Sequence, residues 1–133
     1  MAGEEVELTA VSVGNPHAVI RREPDRHEVR RLGPLVENHD RFPKRTNVQL
    51  VRVDGPHELT IGVWERGAGE TLSSGTSSVA AAAAGVARGW CESPVTVHLV
   101  GGDLHVELAD GRAVLTGPAE EICLIELAPE FEL

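Results

Sequence analysis

Thr76-Ser77-Ser78-Val79-Ala80-Ala81-Ala82-Ala83-Ala84-Gly85-Val86-Ala87-Arg88 is the stretch that decides the fold. Alanine is the strongest helix former and Gly89 suits the residue after a helix end, so a helix is expected over about 74–89. Such a helix has almost no polar face. A helix that is small and apolar all round must be enclosed by other elements. The flanking segments read as many short strands, which can enclose a helix only by curling around it. The expected class is α+β: one domain over residues 1–133, in which a curved antiparallel sheet, or barrel, wraps a central apolar helix.

Upstream, Val6 to Val13 alternates apolar and polar residues with one slip, the period of a strand with a bulge. Gly14-Asn15-Pro16 turns the chain into a short strand, His17 to Arg22. Asp25 to Glu37 places Val29, Leu32, Leu35 and Val36 on one face of a helix, with Pro34 as a bend or a restart. Asn47 to Asp54 and His57 to Glu65 read as a hairpin across Asp54-Gly55-Pro56. Downstream, Val95 to Val100, Leu104 to Leu108, Ala113 to Leu115 and Ile122 to Leu127 are separated by glycine turns and predict a strand meander.

A chain of 133 residues with 41% hydrophobic and 25% charged residues matches folded globular usage. The formal charge of -9 argues against nucleic acid or an anionic membrane as partner, since both require clustered Lys and Arg. Cys91 and Cys123 form no CxxC pair and no disulfide framework, so two ordinary thiols in a reducing compartment are expected, without structural zinc. The first residues lack the basic and apolar regions of a signal peptide, and no apolar run reaches bilayer length. A cytoplasmic location is expected.

Two clusters can carry chemistry. Trp64-Glu65-Arg66-Gly67-Ala68-Gly69-Glu70-Thr71-Leu72-Ser73-Ser74-Gly75-Thr76 leads into the helix; its glycines allow close backbone approach, and the helix start offers unpaired N–H groups. With the helix dipole those donors make an anion site. Taken alone, the same residues read more readily as helix caps, which are commoner than sites, and Glu65 with Arg66 as a surface ion pair. The spacing fits neither a P-loop nor a dinucleotide fingerprint nor a nucleophile elbow. The second cluster, Gly14-Asn15-Pro16-His17, is either a site or a plain turn, and no second His stands at metal-ligand spacing from His17.

In this order the clusters resemble the diaminopimelate epimerase family. The matching segments are VSVGNPHAVI (Val11 to Ile20), LGPLVENHDRFPKRTNVQLV (Leu32 to Val51), WERGAGETLSSGTSSVAAA (Trp64 to Ala82) and LTGPAEEI (Leu115 to Ile122). Family members have two pseudo-symmetric halves with the active site between them, and this chain resembles the second, C-terminal half. The resemblance implies an isomerase converting LL- to meso-diaminopimelate for lysine and cell-wall precursors, by two-base proton transfer at the alpha carbon and without metal or organic cofactor. It implies an amino-acid dicarboxylate as substrate and an N-terminal half as partner, on the same chain or a separate one. A cleft wall left bare by that half would favour self-association, for instance as a homodimer.

Residue by residue, the resemblance gives Asn15 and Asn47 hydrogen bonds to substrate and pairs Arg66 with the distal carboxylate. Gly75 and Thr76 supply backbone N–H groups to the carboxylate at the reacting carbon, while His17 and Glu65 support the acid and base. The departure is Ser74, which stands where the family has its second catalytic cysteine. A thiol at a helix start can ionise near neutrality, whereas an alcohol is a far weaker acid. Three accounts remain open: an inactivating replacement, a one-base isomerase or dehydratase using Ser74, and a non-catalytic carboxylate-binding or assembly module. This chain alone is expected to show no racemase activity.

Overall fold

The computed structural model describes residues 3–131. Its elements run β1 (Thr9–Ser12), β2 (Pro16–Arg21), α1 (Arg26–Glu37), β3 (Asn47–Gly55), β4 (Glu58–Glu65), β5 (Gly69–Thr71), α2 (Gly75–Ala87), β6 (Val95–Leu99), β7 (Gly102–Ala109) and β8 (Arg112–Thr116). The eight strands form one curled sheet in the order β1-β2-β3-β4-β6-β7-β8, with β5 paired to β4. One edge of β4 is thus shared: Glu58 to Thr60 lie beside β6, and Val63 to Glu65 beside β5.

The sheet wraps the apolar helix as expected, and most of its pairings are antiparallel. Two are parallel, β2 with β3 and β4 with β6. Each parallel pair requires a crossover, and the two helices supply them. β3 and β4 run antiparallel, so two right-handed crossovers advancing the same way across the sheet must pass over opposite faces. Two cores result. Around α2, Val19, Val51, Leu59, Ile61, Val63, Val97 and Val106 close on Ala80, Ala81, Ala82 and Ala84. On the other face Ala18, Ile20, Val48 and Leu50 meet Val29, Leu32 and Val36 of α1.

This second core explains why β2 and β3 read as nearly continuous apolar runs: successive residues enter opposite cores. It also explains Gly33. A Cβ there would sit 2.4 Å from Cγ of Trp64, so only glycine lets α1 lie this close to β4. Asp25 caps α1 by accepting from Glu28 N, and Pro34 is accommodated within a continuous helix.

Three expectations change. The first strand is confined to Thr9–Ser12, and the glycine-rich approach to α2 contains the short strand β5. Ile122 to Leu127 forms no strand. Alternation supplies a strand with an apolar face, but a strand also needs a hydrogen-bonded neighbour, and none lies beside this segment among the described residues. Its side chains stand in solvent, Ile122 94% and Leu124 92% exposed. No helix among the described residues is long and apolar enough to cross a membrane.

Candidate functional site

The site begins where β2 leaves the Gly14 turn. Asn15 precedes the strand and His17 enters it, facing the inner core at 1% exposure. His17 Nε2 lies 2.8 Å from Asn15 Oδ1, and His17 Nδ1 lies 2.8 Å from Gln49 Nε2. Gln49 Nε2 also donates to Ser77 Oγ at 2.9 Å. Ser77 N in turn donates to Ser74 Oγ at 3.2 Å. An unbroken chain of contacts therefore joins the β2 turn, through β3, to the start of α2.

Burial pushes His17 down to about 4, and Arg66's charge acts in the same direction. His17 is thus a neutral imidazole near pH 7.

Asn47 opens β3 directly beside His17 in the parallel register. Its Oδ1 accepts from Arg66 N at 2.8 Å and its Nδ2 donates to Pro16 O at 3.0 Å, so it ties both motif loops together. One Nδ2 hydrogen remains for a ligand. Arg66 is half-buried and its Nη1 donates to Lys44 O at 3.2 Å. Glu65 ends β4 half-buried, and its carboxylate meets no hydrogen-bond partner among the described residues.

Glu37 was read only as the end of a helix, yet it organises this loop. It is 6% exposed and accepts from Trp64 Nε1 at 3.0 Å, Gly67 N at 2.8 Å and Arg45 Nη1 at 3.3 Å. Burial pushes its carboxyl up, but the hydrogen bonds from Trp64 and Gly67 and the charges of Arg45 and Arg66 outweigh that and hold it below the usual carboxylate range.

At the start of α2, Ser74 is the N-cap, extended at φ -155°. Its carbonyl accepts from Ser78 N and from Ser78 Oγ, while its hydroxyl accepts from Ser77 N. Capping and anion binding therefore use different donors: Gly75 N and Thr76 N meet no acceptor among the described residues. A Cβ at Gly75 would lie 2.7 Å from Leu115 Cδ2, so a larger residue there would have to push that side chain aside. Among the described residues no group of three or more His, Cys, Asp or Glu is placed to hold a metal.

A curled half-barrel around a small-residue helix is the architecture of the epimerase-like fold class. A solved structure of the Bacillus anthracis phenazine biosynthesis protein, PhzF family, shares it with TM-score 0.60 at 16% identity, covering 83% of this chain and 38% of that one. Sequence narrows the class. The profile described as Diaminopimelate epimerase matches residues 9–122, and the chain belongs to the diaminopimelate epimerase family. A diaminopimelate epimerase of Pseudomonas paraeruginosa is 50% identical over 123 residues, covering 90% of this chain and 45% of that protein. One from Desulfitobacterium hafniense is 50% identical over 119 residues, covering 88% and 42%, and one from Pelotomaculum thermopropionicum 48% over 122, covering 90% and 44%. The chain spans less than half the length of these relatives.

Proposed function

We propose that this chain is the C-terminal half of a cofactor-independent amino-acid epimerase acting on diaminopimelate, in lysine and cell-wall precursor synthesis, and that it turns over only with an N-terminal half. The supporting observation is the hydrogen-bonded path from Asn15 through His17, Gln49 and Ser77 to the α2 start, with Asn47 tying the backbone of Arg66 to the Pro16 carbonyl of the same turn. Arg66 is suited to the distal carboxylate, since a planar guanidinium can grip both oxygens. The free N–H groups of Gly75 and Thr76 suit the carboxylate beside the reacting carbon, where negative charge grows as the proton leaves. His17, neutral, and Glu65 would support proton transfer.

Ser74 limits this half. Its hydroxyl cannot act as a base near pH 7, and it already caps α2. That capping contact favours a second reading, a carboxylate-binding or assembly module without turnover. Solvent deuterium incorporation at the alpha carbon of diaminopimelate separates them. The half-enzyme reading expects no exchange with the chain alone and exchange once an N-terminal half and Ser74→Cys are supplied. Absence of exchange in that complemented variant supports the binding module. In the assembled enzyme, calorimetry with Arg66→Lys should show binding of diaminopimelate weakened much more than that of a monocarboxylate amino acid; equal losses would remove Arg66 from the site.

A further inference from the structure

Gln49 is fully buried, and none of the family's chemistry was assigned to it above. Its Nε2 places one hydrogen on His17 Nδ1 and the other on Ser77 Oγ, while its Oε1 is buried without a partner. The sense of the contacts follows from counting. Turning the amide over would put the carbonyl between His17 and Ser77 and leave two buried N–H donors unpaired in place of one carbonyl. Orphaned donors are the rarer and costlier defect. With Gln49 donating, His17 Nδ1 must accept. Its single ring proton then sits on Nε2 and is donated to Asn15 Oδ1.

We propose that Gln49 is a positioning residue that fixes the polarity of Asn15: through His17 it holds the Asn15 carbonyl, so that Asn15 offers its two Nδ2 hydrogens to the ligand and reads a carboxylate oxygen rather than an ammonium. Among the described residues Asn15 Nδ2 has no partner, and the half-buried side chain is open to one. Ser77 belongs to the same device. Its backbone N–H is capped by Ser74 and its hydroxyl receives Gln49, so the amide that orients Asn15 is anchored on the helix turn that offers Gly75 and Thr76. The inference rests on the reading that Asn15 meets the substrate, but its first test does not.

The test is nitrogen NMR of the ligand-free chain near pH 7. The expected result is a His17 proton on Nε2 alone, with a coupling across the hydrogen bond between Gln49 Nε2 and His17 Nδ1. A proton on Nδ1 overturns the proposal without any variant. In Gln49→Met, which keeps length and bulk but cannot donate, both His17 tautomers should be populated; retention of the Nε2 proton alone overturns the role of Gln49. Gln49→Leu repeats the measurement should the methionine variant not fold. In calorimetry of the chain assembled with an N-terminal half, Gln49→Met should weaken diaminopimelate binding by about tenfold, the scale of one charge-assisted hydrogen bond. Unchanged binding beside a mixed tautomer overturns the selectivity assigned to Asn15. A wild-type chain with the expected tautomer and coupling that takes up no diaminopimelate even when assembled with an N-terminal half supports the orientation of Asn15 and rejects the epimerase reading.

Discussion

Glu37, on the last turn of α1, accepts the indole N–H of Trp64 at 3.0 Å, and with its other oxygen it takes the backbone N–H of Gly67 at 2.8 Å. One buried carboxylate thus fixes both the end of β4 and the turn that carries Arg66. Glu37→Ala leaves two donors unpaired in a nearly dry site and should cost about 2–4 kcal/mol. Urea unfolding of the variant measures this; a loss below about 0.5 kcal/mol, within the range of ordinary surface changes, would show that the contacts are incidental.

His17 gives the fold a pH dependence. Its folded value of about 4 lies below the unfolded histidine value of about 6.5, so the unfolded chain binds the extra proton more readily. The stability it lends is fully present above about pH 6.5 and is lost as pH falls towards 4, a change of about 3 kcal/mol. Denaturant unfolding across that range should show the slope in the wild type and a much shallower one in His17→Asn. Identical slopes would place the responsible proton elsewhere.

Ser74→Cys introduces a thiol at the N-cap of α2, next to N–H donors and the positive end of the helix. It should react with an alkylating probe faster at neutral pH than Cys91, whose thiol burial pushes up, and faster than exposed Cys123. A new thiol no more reactive than Cys123 would mean that the helix start does not stabilise an anion.

The segment from Gly117 to Phe131 is exposed throughout, with Ile122, Leu124 and Ile125 bare. Replacing Ile122 and Leu124 with Ser should leave the unfolding free energy within about 0.5 kcal/mol of wild type, because neither packs against the core. It should also reduce concentration-dependent association measured by light scattering. A large loss of stability would mean that the segment is part of the fold.

Much of this was readable from sequence where the signal is local. The alanine run admits one structure, and the β3–β4 hairpin follows from its alternation and its Asp54-Gly55-Pro56 turn. Asn15, His17, Asn47, Arg66 and Ser74 were legible through family motifs, although the capping of Ser77 by Ser74 was not separable from anion binding without coordinates. Gln49 and Glu37 were missed because their meaning lies in partners 28 to 32 and 27 to 30 residues away. Gln49 did leave a trace: it is a polar residue at the inward position of a strand whose next inward residue is Val51. The second core was hidden for the same reason, since it depends on crossover direction rather than on any one segment. The exposed tail marks the converse limit, because alternation identifies a strand's faces but not its neighbour.

The all-round apolar surface of α2 has a kinetic consequence. A helix with a polar face can dock on half a core and wait, but α2 gains its burial only when β6 and β7 close beside β4. That closure pairs Leu59 with Val97, across all of β5 and α2. Loop entropy is spent before the contacts that repay it exist, so the chain should collapse late and all at once. Partly folded forms would present a bare alanine helix with little to hold it, and the barrier to folding would lie in the closing of the sheet rather than in the making of the helix.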